Sequence, residues 1–140
     1  MAETLRFHYD VDGDNFTSAG AASVEVKRKL RQLGFPAETI RRVSIAMYEG
    51  EINMVVHARG GAADVYVEPN CITIILADQG PGIPDIDLAM QEGYSTAPDN
   101  IRALGFGAGM GLPNMKRYTD DMKIETELGK GTTVTMKVFV

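Results

Sequence analysis

The chain has no tryptophan and a single cysteine, Cys71, among its 140 residues. One thiol can neither close a disulfide nor build a cysteine metal site within the chain, and its place in an apolar run predicts a small buried hydrophobe. An excess of positive charge is also missing, since 14 lysines and arginines stand against 19 aspartates and glutamates, for a net charge of −5. That balance argues against a protein whose main work is to neutralise a nucleic-acid backbone, so no direct nucleic-acid partner is expected. No apolar run reaches the roughly 18 residues of a membrane span, and the start lacks the basic-then-apolar layout of a secretory signal. A soluble, cytoplasmic protein with no membrane partner is the expectation. His57 finds no second ligand at a metal-binding spacing, and His8 falls on the wet face of an alternating strand, so neither histidine is assigned chemistry.

What is present fits one globular domain spanning residues 1–140, with 44% hydrophobic and 24% charged residues. Leu5, Phe7, Tyr9 and Val11 alternate with polar residues, the period of a half-buried strand. Asp14 or Asn15 can cap a helix running to Leu33, with Gly34 as its stop. Its Lys27-Arg28-Lys29 and Arg31 read as a solvated face. Pro36 suits the first turn of a longer helix that continues to about Ala58. Two polar residues interrupt the apolar face of this helix, Glu49 and Asn53. Their spacing of four stacks them within reach of one ligand. Gly50 between them costs roughly 1 kcal/mol against alanine, which predicts a close approach by backbone or ligand.

Alternation from Ala63 to Glu68, a Pro69-Asn70 turn and the apolar run Cys71–Ala77 predict a hairpin whose second strand is fully buried. That strand delivers Asp78-Gln79-Gly80-Pro81-Gly82. A carboxylate there only accepts hydrogen bonds, and the two glycines would let a flat, amine-bearing ring lie close to backbone. Residues 83–104 carry no clean period apart from a short helical piece near Asp87–Gln91, and such long connections in compact domains are commonly functional. They lead to Gly105, Gly107, Gly109 and Gly111, then to a helix from about Leu112 to Tyr118. A glycine-rich lead into a helix start offers backbone donors and the positive end of the dipole to a phosphate. The spacing is neither the P-loop nor the Rossmann pattern. Met122, Ile124 and Thr126 open a last hairpin that turns at Gly129-Lys130-Gly131 and returns from Thr132 to Val140. The inward parity of Thr132 requires a partner for its hydroxyl, either within the turn or on a bound base.

These pieces, in this order, resemble the ATP-binding fold shared by DNA gyrase B subunits, MutL and sensor histidine kinases, the GHKL superfamily with its Bergerat fold. Glu49-x-x-x-Asn53 is similar to its first motif, Asp78-x-Gly80-x-Gly82 to its second, Gly105 to Gly111 to its third and Gly131-Thr132 to its last. The Gly93-Tyr94-Ser95-Thr96 segment, Gly111-Leu112-Pro113 and the short length look most like bacterial anti-sigma-factor serine kinases and the related switch kinases. The resemblance implies an α/β two-layer sandwich: a mixed, mostly antiparallel sheet of about five strands with helices on one face. It also implies ATP and Mg2+ as ligands and phosphoryl transfer to a serine or threonine of a STAS-domain (anti-anti-sigma) partner, or binding of a sigma factor. Relatives of this group commonly form homodimers.

By the same resemblance Asp78 meets the adenine amino group, Gly80 and Gly82 shape the base pocket, and Thr132 assists directly or through water. Asn53 holds the magnesium ion, the glycines from 105 to 111 close over the phosphates, and Glu49 is the general base. Arg102, Lys116 and Arg117 are candidate phosphate cations. Gly50 and Glu51 depart from the small apolar residues usual between the glutamate and asparagine. No phosphoacceptor-histidine helix stands ahead of the motifs, which disfavours an autophosphorylating sensor kinase. A nucleotide-gated module that sequesters its partner with little catalysis is the alternative.

Overall fold

The computed structural model describes residues 4–12, 20–58, 60–83, 86, 90 and 111–140, the side chains of 12, 56–58 and 111 excepted. Along the chain these form β1 (Leu5–Asp12), α1 (Ala21–Gln32), α2 (Ala37–Ala58), β2 (Gly60–Glu68) and β3 (Cys71–Ala77). After them come α3 (Gly111–Arg117), β4 (Asp121–Glu127) and β5 (Gly131–Phe139). The strands make one five-stranded sheet in the order β1-β2-β3-β5-β4. All four pairings are antiparallel, so the mostly antiparallel sheet of the sequence reading is wholly so among the described strands.

Side-chain parity decides which face the helices cover. In register, Phe7 lies beside Val65, Val65 beside Ile74, Ile74 beside Met136, and Met136 beside Met122, a row of apolar groups across every strand. This row packs against Val26 and Leu30 of α1 and Val43 and Met47 of α2. Ile74, Met136, Val26, Leu30, Val43 and Met47 are fully buried, each stabilising the fold by about 1.5–3 kcal/mol relative to exposure. The opposite face stays open. For that reason β3 is not fully buried as its apolar run suggested: Ile72, Ile74 and Leu76 are buried, while Cys71, Thr73 and Ile75 are only half-buried. Cys71 accordingly lies on the open face, its Sγ 3.9 Å from Thr73 Oγ1.

α1 starts later than its sequence suggested. Its N-cap is Gly20, in the left-handed region at φ 97° and without a side-chain cap, so neither Asp14 nor Asn15 caps the helix, and both lie outside the described residues. At the other end Gly34 stops it at φ 81°, and Leu33 is 47% exposed at the C-cap. α2 begins where Pro36 predicts, with the Ile40 N–H donating to the Pro36 carbonyl at 3.0 Å. Of the short helical piece near 87–91, a backbone bond from Met90 N–H to the Ile86 carbonyl at 2.9 Å is described, and the remainder lies outside the described residues. Among the described residues no helix is long and apolar enough to cross a membrane.

Candidate functional site

Asp78 is the first residue past β3, and the chain around it is clamped to the start of β5. Its carboxylate Oδ1 accepts the Gly80 N–H at 3.0 Å and the Thr132 N–H at 3.1 Å. In return, the Asp78 N–H donates to the Thr132 carbonyl at 2.9 Å. Both side-chain bonds fall on Oδ1, and among the described residues none falls on Oδ2. A half-buried carboxylate is thus held in one orientation with a spare acceptor, the arrangement that an exocyclic amino group on a flat ring can use.

Two glycines here make room for a crossing of the chain over itself. Gly82, at φ 83°, packs on the β4–β5 turn, where a Cβ would come within 2.8 Å of the Glu127 carbonyl oxygen and 3.1 Å of the Leu128 Cα. Gly131, at φ 136°, faces the Asp78 carbonyl, which a Cβ would strike. Chain meets chain at both positions, so these glycines permit residues 78–83 to lie against residues 127–132, with Gly129 N–H donating to the Pro81 carbonyl at 3.0 Å. At Gly82 the missing Cβ is required by this chain crossing. Gly80 contributes its N–H to Asp78.

Thr132 faces inward as its parity predicts and is 7% exposed. Its hydroxyl lies 2.9 Å from that of Thr126, the residue opposite it on β4. Thr126 Oγ1 also accepts the Ile83 N–H at 2.8 Å, so it pins the far end of the 78–83 segment. Alternation alone marked Thr126 as an ordinary strand residue; its cross-strand position opposite Thr132 was the signal available in the sequence.

On α2, Glu49 and Asn53 share a face as their spacing requires, both half-buried. α3 packs along this face. Asn114 donates from Nδ2 to Glu49 Oε1 at 3.4 Å, and Asn53 turns its Nδ2 toward Met115 Sδ at 3.8 Å, while among the described residues its carbonyl oxygen takes no hydrogen bond. Gly61 brings the two halves of the site together, since a Cβ there would lie 3.0 Å from Met54 Sδ and 3.1 Å from Asp78 Cα. Among the described residues no group of three or more histidine, cysteine, aspartate or glutamate side chains could hold a metal. A magnesium ion at Asn53 fits that set, because this ion keeps several waters and commonly takes its other ligands from substrate phosphates.

The two departures between Glu49 and Asn53 have structural causes. Gly50 is buried where a Cβ would strike Leu76 Cδ1 and come within 3.1 Å of Met115 Cε, so the close approach is by sheet and α3 side chains and not by a ligand. Glu51, 2% exposed, points away from the site and receives the N–H groups of Gly20, Ala22 and Ser23 at 2.8, 3.2 and 3.0 Å. It caps α1 in place of a local side chain. Of the remaining candidates, Gly111 opens α3, and Lys116 and Arg117 are exposed on it, Arg117 donating to Asn114 Oδ1 at 3.4 Å. Gly105, Gly107, Gly109, Arg102 and the segment Gly93–Thr96 lie outside the described residues.

Comparison with known proteins agrees with this architecture. The family model described as histidine kinase-like ATPase domain matches residues 15–138. The anti-sigma F factor of Clostridium acetobutylicum is 34% identical over 121 residues, covering 83% of this chain and 81% of that protein. The serine/threonine-protein kinase RsbT of Bacillus subtilis is 33% identical over 110 residues, covering 74% of this chain and 75% of the kinase. Among solved structures, the RsbU and RsbW domains of Rv1364c from Mycobacterium tuberculosis superpose with a TM-score of 0.64 at 15% identity. That match covers 96% of this chain and 32% of the longer one, and at such identity it speaks for the fold.

Proposed function

This chain belongs to the histidine kinase-like ATPase domain family, in the group that holds anti-sigma F factors and RsbT, and on that premise we propose that it is an ATP-dependent protein serine/threonine kinase. In this reading residues 1–140 are a single ATP-binding kinase unit acting in the cytoplasm, and the acceptor is a serine or threonine of a STAS-domain anti-anti-sigma protein. The observation that carries it is the Asp78 carboxylate, fixed through Oδ1 by two backbone donors with Oδ2 left for a ligand.

Asp78 Oδ2 accepts the adenine amino group, and the rigid 78–83 segment keeps that oxygen from turning away. Asn53 offers its carbonyl oxygen to Mg2+, while Gly105, Gly107, Gly109 and Gly111 provide backbone donors for the phosphates. Bound magnesium-ATP supplies the phosphoryl group and the divalent charge that phosphoryl transfer requires. Glu49, one turn before Asn53 and oriented by Asn114, takes the proton of the incoming hydroxyl. Positioning and charge neutralisation account for most of such a reaction, so a small set of side chains suffices.

The test is transfer of labelled γ-phosphate to a purified STAS-domain protein. Transfer that falls about a hundredfold or more in Glu49→Gln, with ATP affinity kept, supports Glu49 as the base. Undiminished transfer by that variant rejects it. Because one relative bears the name of an anti-sigma factor and another that of a kinase, nucleotide-gated sequestration of a sigma factor is the second reading. It is favoured if nucleotide exchange alters partner affinity while no phosphate is transferred.

A further inference from the structure

We infer that Arg117 is a positioning residue for the base: it acts on Glu49 through the side-chain amide of Asn114 and not on the phosphates. The inference rests on the reading of Glu49 as the group that takes the hydroxyl proton.

Asn114 lies between two groups of fixed polarity. Arg117 Nη1 donates to Asn114 Oδ1 at 3.4 Å, and Asn114 Nδ2 donates to Glu49 Oε1 at 3.4 Å. A guanidinium only donates and an ionised carboxylate only accepts, so one orientation of the amide satisfies both neighbours. Turned over, it would set N–H against N–H on one side and oxygen against oxygen on the other. The helix that carries Asn114 is itself held against α2. Met115, 1% exposed, packs on the turn between Glu49 and Asn53, where a Cβ at Gly50 would lie 3.1 Å from its Cε. With the backbone fixed there, rotation of the amide is the freedom that remains. Arg117 stands three residues after Asn114 on the same face of α3 and removes it.

The lock matters because Glu49 changes its protonation during transfer. Before the step, the carboxylate alone holds the amide as a donor. Once Glu49 has taken a proton it carries a donor of its own, and an unrestrained Asn114 would be able to turn its oxygen to that O–H. Arg117 occupies the Asn114 oxygen, so the amide goes on donating to Oε1. Among the described residues no hydrogen bond falls on Glu49 Oε2, which is the oxygen left for the acceptor hydroxyl. The proton passes to Oε2, and the hydroxyl oxygen uses the electron pair of its former O–H bond to join the γ-phosphorus. The bond from that phosphorus to the β–γ bridging oxygen breaks, and its pair leaves on ADP.

The experiment compares the whole chain with Arg117→Ala, Arg117→Lys, Asn114→Leu, Glu49→Gln and the double variant Glu49→Gln/Arg117→Ala. Transfer of labelled γ-phosphate to a purified STAS-domain protein gives kcat, and calorimetry with magnesium-ATP gives nucleotide affinity. Arg117→Ala and Asn114→Leu are each expected to lower kcat about tenfold, the scale of one lost hydrogen bond, with ATP affinity kept. Lysine, also a donor only, restores most of the rate. In the Glu49→Gln background Arg117→Ala costs nothing further, because the group it positions is already gone. In nuclear magnetic resonance spectra recorded without nucleotide, the Asn114 side-chain amide signal shifts in Arg117→Ala and returns toward the parent in Arg117→Lys. A loss of ATP affinity with kcat kept would make Arg117 a phosphate ligand, and an equal loss of rate in the Glu49→Gln background would make its role merely structural. Either result, or an unmoved Asn114 amide signal, overturns the inference. If the parent transfers no phosphate, or Glu49→Gln transfers at the parent rate, the base reading fails and takes this inference with it. If Glu49→Gln is slow while Arg117→Ala is not, the inference alone fails.

Discussion

The Glu51 carboxylate accepts the Gly20 backbone N–H at 2.8 Å, tying the start of α1 to the turn of α2 that separates Glu49 from Asn53. Two further N–H groups, of Ala22 and Ser23, share the same carboxylate. These are orphan donors that every helix start must satisfy, here met from a neighbouring helix. The negative side chain also sits at the positive end of the α1 dipole.

Glu51→Ala leaves three buried donors without that partner and should destabilise the fold by about 3 kcal/mol, with Glu51→Gln costing less. The midpoint of denaturant unfolding measures both. An alanine variant as stable as the parent would mean that water replaces the carboxylate at no cost.

Gly50→Ala should also destabilise, despite the roughly 1 kcal/mol that alanine gains in helix propensity. Its Cβ meets Leu76 and Met115, and overpacking of this kind costs about 1–3 kcal/mol. Trimming the obstacle with Leu76→Val should recover part of the loss in the double variant. Simple addition of the two single losses would show that the residues do not collide.

Stability should vary with pH through a cluster on the open face. His8 places Nδ1 2.8 Å from Asp64 Oδ1 and Nε2 3.2 Å from Asp10 Oδ1, and only the imidazolium donates from both nitrogens. The hydrogen bond to Asp64, then that to Asp10, raises the His8 pKa above its ordinary 6.5. Burial pushes the Asp64 carboxyl up, but its bonds from His8 and Arg6 outweigh burial and leave it below its ordinary 3.8. The His8 contribution is therefore complete below pH 6.5 and is lost as pH rises through the elevated folded value. The Asp64 contribution is complete above pH 3.8 and is lost as pH falls through the depressed one. Melting temperature against pH should show the alkaline loss in the parent and not in His8→Gln.

Much of the fold was legible because its signals are local. Alternation marked β1, β2, β4 and β5, the Pro69-Asn70 and Gly129–Gly131 turns marked both hairpins, and Pro36 marked the start of α2. The spacing of Glu49 and Asn53 and the position of Asp78 after an apolar strand needed nothing beyond helix and strand periods. What could not be read depends on partners distant in sequence. Glu51 resembles any helical glutamate until Gly20, 31 residues earlier, is found on its carboxylate. Gly82 read as space for a ligand, and Gly131 only as part of a turn, because nothing local shows residues 78–83 crossing the β4–β5 turn. The later start of α1 follows from the same long-range cap, which removes the need for a side-chain cap such as Asp14 or Asn15.

Asp78→Asn tests the central claim most directly. The amide keeps one carbonyl oxygen for the Gly80 and Thr132 N–H groups, so the clamp can persist, while the other position becomes a donor facing the donor of the base. Titration calorimetry with magnesium-ATP should show uptake by the parent and at least about a hundredfold weaker uptake by a folded Asp78→Asn, as expected when a buried polar match is inverted. Equal uptake by the two proteins would contradict the account.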